Sequence, residues 1–175
     1  VSEIQNDKNG ITKNEPSSTP TIEDSGKLKE ISRDEAIKEV KRIKLENNNI
    51  SGSISLEGGI IDDVIFKNYK EKLNDDQNVV FLNPKNSQNG YYIETGWAAS
   101  SSKGLNLPVD NTIWEIKGNN YLSPDNPVIL EWNNNQGLIF QKKIELDDKF
   151  LFKITQSIKN NSNNSYQFYP YSQIT

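Results

Sequence analysis

VILEWNNNQGLIFQKKIELDDKFLFKITQSIKN, residues 128–160, is the stretch that decides the fold. Val128, Leu130 and Trp132 recur at every second position. Successive side chains of a strand point to opposite faces, so a period of two gathers these three on one apolar face. The run NNNQG (Asn133–Gly137) is a glycine-containing connection of the kind that closes a hairpin, and Leu138–Leu146 supplies its second strand. Asp147-Asp148 makes the next turn. Phe150, Phe152, Ile154 and Ile158 then line one face of a long strand, opposite Lys153, Thr155, Ser157 and Lys159.

The same period extends in both directions. After the polar turn KNNSNNS, Tyr166, Phe168 and Tyr169 begin another strand, which runs to Thr175. Towards the N-terminus, Ile113–Ile116 reads as a short strand turned by Gly118-Asn119-Asn120. Tyr91–Glu94 reads as a strand ended by Gly96, and Val79–Leu82 as a buried strand stopped by Asn83-Pro84. Ile60, Val64 and Phe66 form one more, preceded by the Gly58-Gly59 turn and by Ile54 and Leu56 on a common face. The period becomes helical only at Ser32, an N-cap with Glu35 three residues on, followed by Ala36, Ile37 and Val40. A helix of one or two turns from Arg33 to about Lys41 is expected. Residues 1–31 are polar and read as a linker or tail. Short strands with frequent turns and little helix predict an all-β sandwich or barrel over residues 32–175. A strand that reaches the last residue predicts a portion of a longer sheet, with an edge open to dimerisation.

Composition narrows the function. The 175 residues fit one domain, and a body of roughly 130–145 residues buries about two-thirds of its unfolded surface. Mean hydropathy is −0.76, and asparagine runs supply much of the polarity. Net charge is −4 and the pI about 5.0, a poor match to nucleic acid or an anionic membrane surface. The one basic cluster, Lys38, Lys41, Arg42 and Lys44, is interleaved with Glu35, Glu39 and Glu46. Histidine and cysteine are absent, which excludes Cys/His zinc sites, Ser-His-Asp triads and thiol chemistry. No apolar run approaches the ~20 residues of a membrane span.

Among candidate sites, the doublets Asp62-Asp63, Asp75-Asp76 and Asp147-Asp148 invite an acid–base reading. That chemistry needs two carboxylates facing one substrate, and neighbours on a regular strand face apart. Solvated turns are the plainer reading. Trp132 and Trp114 fall in phase with core positions. Trp97, before the AASSSKG loop, is the tryptophan best placed for a surface, with core packing as its competing reading. Trp97, Tyr91 and Tyr92 are therefore the candidate partner or ligand surface. No catalytic residue, metal site or cofactor is expected.

The ordered succession of segments carries a resemblance. SGSISLEGG with IDDVIFKNYKE (51–71), VVFLNP (79–84), YYIETGW (91–97), LPVDNTIW (107–114), LSPDNPVILEWNNNQGLIF (122–140) and IELDDKFLFKITQSIKN (144–160) resemble the large periplasmic domain of the YidC/Oxa/Alb insertase family, in its alphaproteobacterial form. The likeness runs from about Arg42 to Thr175. Ile60 departs from it, since the related pattern often has arginine there, and Asp62 and Asp63 receive no role by analogy. The resemblance implies the N-terminal part of a β-super-sandwich similar to mutarotase and carbohydrate-binding folds. It implies a non-catalytic module on the periplasmic face of the bacterial inner membrane, tethered through segments outside this chain. Nascent membrane proteins and Sec translocon components are its implied partners, met by docking or strand addition. A carbohydrate- or peptide-binding sandwich is the alternative.

Overall fold

A computed structural model describes residues 31–100 and 104–175; the expected tail therefore lies, but for Ile31, outside the described residues. One helix, α1 (Arg33–Glu39), opens the structure. Ser32 Oγ accepts from Glu35 N at 3.3 Å and the Glu35 carboxylate accepts from Ser32 N at 3.0 Å, the reciprocal capping box read from the sequence. The helix stops short of Lys41 because Val40 is already extended, with φ −123° and ψ 153°.

The strands that follow are β1 (Arg42–Glu46), β2 (Ile50–Ser55), β3 (Ile60–Lys70), β4 (Asn78–Leu82), β5 (Ile93–Ala99), β6 (Glu115–Lys117), β7 (Tyr121–Leu122), β8 (Val128–Asn133), β9 (Leu138–Leu146), β10 (Phe152–Asn160) and β11 (Phe168–Ile174). They form two sheets. The larger runs β11-β5-β3-β2-β1-β7, with β4 also on β3; the smaller runs β10-β9-β8-β6. Only β1 and β7 pair in parallel among these strands. The described residues form an all-β sandwich with one short helix.

Alternation builds the core. Leu138, Phe140, Lys142, Ile144 and Leu146 of β9 are all buried, and the residues between them are not. The four apolar ones share one cluster with Ile43, Leu45, Ile54, Val64 and Trp97 from the large sheet. Phe140 is a hub, edge-on to Trp97 at 5.2 Å and to Phe168 at 5.7 Å. Burial of such side chains contributes roughly 25 cal/mol per Å² of apolar surface, the largest favourable term available to this chain.

Two local features differ from the expectation, and a third adds to it. Gly96 does not end a strand, because β5 runs through it to Ala99. It stands opposite Tyr171 of β11, and a Cβ there would lie 2.5 Å from the tyrosine Oη, so the glycine makes room for a ring. The segment 113–116 pairs regularly only from Glu115; Ile113 forms a lone bridge to Glu57 and is exposed. The asparagine runs hold turns together. Asn47 Nδ2 donates to Asp147 O and Lys149 O, both at 2.8 Å, while its Oδ1 accepts from Asn49 N and Ile50 N, tying the β1–β2 turn to the β9–β10 turn. Asn134 is buried and does the same in the β8–β9 loop, accepting from Gln136 N and Leu138 N.

Candidate interaction surface

The three residues singled out from the sequence part company. Trp97 is buried, 6% exposed, with its ring stacked on Trp114 at 6.2 Å. Tyr92 is buried as well; only Tyr91 reaches solvent. The reason is Gly96: because β5 continues past it, Trp97 lies on a strand whose alternate side chains face the second sheet, rather than in a loop. Trp114 is fully inside, and Trp132 is half-buried at 5.7 Å from Phe140. The indoles that a sugar would need as stacking platforms are thus largely spent on packing.

Tyr91 belongs to a larger exposed group. The β3–β4 hairpin projects beyond β2, and its burial fades from Ile65 onward. Phe66 stacks on Phe81 of β4 at 5.0 Å and meets Phe150, in the β9–β10 turn, edge-on at 5.6 Å. Tyr69 closes on Phe66 at 5.7 Å, and Tyr91 on Phe81 at 6.5 Å. Phe81, Tyr91, Phe150, Tyr69 and Leu151 are each more than 40% exposed. Single exposed apolar residues are ordinary, but rings joined from four chain segments form a patch of the kind found at interaction sites. Two lysines of β3 are held by hydrogen bonds of their own: Lys67 Nζ donates to Glu46 Oε1 at 3.0 Å and to Asn47 O at 2.9 Å, and Lys70 Nζ donates to Asp76 O at 2.8 Å. No pattern in the sequence announces this group, since its members come from separate turns and strands.

Charge is also buried in two places, and one of them corrects the solvated-turn reading of the Asp62-Asp63 doublet. Asp62 and Asp63 stand mid-strand rather than at a turn. The β2–β3 register shifts between Ser53 and Ile54, so Asp62 is the extra residue of a bulge, and both carboxylates are buried. The alternation that would separate them is broken there. Asp62 pairs with Arg42 and Asp63 with Arg33, the chain's two arginines. Ser53 Oγ links the pairs, accepting from Arg42 Nε at 2.7 Å and donating to Asp63 Oδ2 at 2.5 Å. Burial pushes the Asp62 carboxyl above its ordinary value, against the pull of Arg42. On the small sheet, Lys142 is 1% exposed. Its Nζ donates to Gly58 O at 3.0 Å and Gly59 O at 3.1 Å, and sits 4.8 Å from the centre of the Trp114 ring. Burial lowers its pKa to about 8. Each of these charges is engaged in holding the sandwich together; the arrangement offers no opposed pair of carboxylates around an open site.

The family model of the YidC periplasmic domain matches residues 42–175. Three similar proteins are each called membrane protein insertase YidC. That of Pelagibacter ubique (strain HTCC1062) is 44% identical over 168 residues, covering 96% of this chain and 30% of that protein. That of Jannaschia sp. (strain CCS1) is 40% identical over 79% of this chain and 22% of its own length. That of Beijerinckia indica is 39% identical, over 83% and 24% respectively. The chain spans less than a third of each of these relatives.

Proposed function

The chain belongs to the YidC periplasmic-domain family, and on that premise we propose that it is a non-catalytic docking module of a membrane protein insertase. No helix among the described residues is long and apolar enough to cross a membrane. The reading places the module on the periplasmic face of the inner membrane, as part of a longer protein that inserts membrane proteins and assists their folding. Its partners in this reading are nascent membrane proteins and components of the Sec translocon. The folded unit within the chain runs from residue 32, so that α1 is part of it.

The observation that carries the docking role is the aromatic patch of Phe66, Phe81, Tyr91 and Phe150. Rings kept in water gain roughly 25 cal/mol for each Å² that a partner covers, and large aromatics dominate interface energetics. The patch is built on paired strands and a stapled turn, so docking there requires little ordering of the module. Self-association through β11 belongs to the same reading, limited by Pro170, which offers no N–H.

The test is capture of nascent membrane protein or Sec components by the purified chain, compared with Phe81→Ser/Phe150→Ser. Both sites are exposed, so the variant keeps its fold by circular dichroism. We expect capture to fall about tenfold, the equivalent of losing one interface anchor. Equal capture by wild type and variant would exclude the patch as the docking site.

A further inference from the structure

Trp114 lies inside the sandwich, and its indole N–H has no acceptor among the described residues. An indole nitrogen can only donate, and a buried donor without a partner costs stability, so such groups are rare in folded proteins. Lys142, beside it, is in a related position. An ammonium carries three donors; two reach Gly58 O and Gly59 O, which leaves a third N–H to place.

Gly59 marks where the two side chains converge. A Cβ built on it would lie 3.0 Å from Trp114 Nε1 and 3.3 Å from Lys142 Nζ. Both nitrogens therefore come within hydrogen-bond reach of one region of space, and glycine is the residue that leaves that region open. Trp114 and Lys142 also line one cavity of about 20 Å³, together with Glu94 and Thr95 of β5. All four are at least nine-tenths buried, so the cavity belongs to the interior of the sandwich and needs no exposed surface.

The rest of the lining decides what fits. Two donors beside one space call for an acceptor. An anion would satisfy both, but Glu94 and Asp110 line the same cavity, and these two carboxylates balance the two cations, Lys142 and Lys85. A neutral oxygen is the better match. It must also donate, because Glu94 accepts. Glu94 Oε1 takes one bond, from Tyr171 Oη at 3.1 Å, and Oε2 takes one, from Gln173 Nε2 at 3.4 Å, where each carboxylate oxygen has two lone pairs. Glu94 is also near enough for its charge to favour the proton on Lys142 against the effect of burial. Roughly 10–15 Å³ accommodates one water with two to four polar partners, so this cavity suits one water and no larger hydroxyl compound.

We propose that the cavity binds a single water, which accepts from Trp114 Nε1 and Lys142 Nζ and donates to the Glu94 carboxylate. The water relays an ion pair between β9 and β5, one strand from each sheet, and satisfies the orphaned indole in the same step. It fastens the two layers beside the point where Tyr171 of β11 bonds Glu94. The inference goes beyond the docking reading and rests on no part of it.

The experiment is a crystal structure of the chain at a resolution that shows ordered water, paired with a nuclear Overhauser measurement between water and the Trp114 indole proton. We expect one oxygen within about 3.2 Å of Trp114 Nε1, of Lys142 Nζ and of a Glu94 carboxylate oxygen. In solution the indole proton should show a contact with the sign of long-held water. Gly59→Ala should abolish both signals, because its Cβ enters the space between the two donors. Gly59 has φ +59°, a strained conformation for alanine, and if that variant does not fold the wild-type measurements decide alone. An empty cavity, an indole N–H bonded to a protein acceptor, or a chloride or larger molecule at the site would each overturn the proposal. So would a water that keeps its position in a folded Gly59→Ala, since it would lie elsewhere than between the two donors.

Discussion

At the β3 bulge, Asp62 and Asp63 enter the interior with an arginine each, whereas across the sandwich Lys142 enters without a carboxylate bonded to it. The two regions solve the same problem, charge out of water, by different chemistry. A carboxylate accepts hydrogen bonds, and its negative charge is best met by the forked, permanently charged guanidinium. An ammonium donates, so two turn carbonyls and an aromatic face can satisfy it, and it has a second recourse because it can release its proton. The turn that meets Lys142 requires glycine: Gly59 has φ +59°, and a Cβ there would lie 3.0 Å from the Trp114 ring. A partnered pair is therefore brittle to loss of either member, while a lone lysine is tuned by pH.

The largest expected effect tests that brittleness. Arg42 and Asp62 side chains are 8% and 4% exposed. Arg42→Ala leaves a buried carboxylate without its cation, and we expect about 3–5 kcal/mol of destabilisation in urea unfolding. The double variant Arg42→Met/Asp62→Leu removes the charges together and should recover most of that loss. A double variant as unstable as the single one would mean that the pair itself, rather than its breakage, governs stability.

Lys142 should show the opposite signature, in pH rather than in side-chain loss. Its folded pKa of about 8 lies below the ordinary 10.5. Below pH 8 both states hold the proton. Between about pH 8 and 10.5 the unfolded chain keeps a proton that the folded chain has released, so stability rises with pH through that window, by on the order of 2–3 kcal/mol. Lys44 and Lys117, held above their ordinary values by Glu46 and Glu115, pull the other way at higher pH. The quantity to measure is therefore wild type minus Lys142→Met, which should slope upward from pH 8; a flat difference would show Lys142 titrating normally.

Much of the sandwich was readable because β-structure writes its period into the chain. The β8–β9 hairpin, the capping box at Ser32 and the buried position of Trp114 all follow from local pattern. Lys142 was readable too: it falls in phase with Leu138, Phe140, Ile144 and Leu146, and the phase outranks its charge. Asp62 and Asp63 were not, because one bulge resets the alternation that any strand argument assumes. Gly96 looked like a terminator, and only Tyr171 across the ladder shows why a glycine is there. The aromatic patch was hidden for a third reason. Phe66, Phe81, Tyr91 and Phe150 become neighbours only when the β3–β4 hairpin meets the turn after β9.

The smallest of these stability effects sharpens the contrast within the aspartate pair itself. Arg33 lies on α1, with its side chain 23% exposed, and Asp63 retains the Ser53 hydroxyl when the arginine is gone. Solvent screening and the second partner should hold the cost of Arg33→Ala to about 1–2 kcal/mol, well below that of Arg42→Ala. The family match starts at residue 42 and leaves α1 outside it, yet Arg33 joins that helix to a buried carboxylate of β3. Loss of the contact should first loosen the helix, so exchange at Ala36 N, which donates to Ser32 O at 3.0 Å, should quicken about tenfold before the sheets respond. Should Ala36 and the β9 amides quicken together, α1 unfolds with the sandwich as one unit and Asp63 depends on Arg33 as fully as Asp62 depends on Arg42.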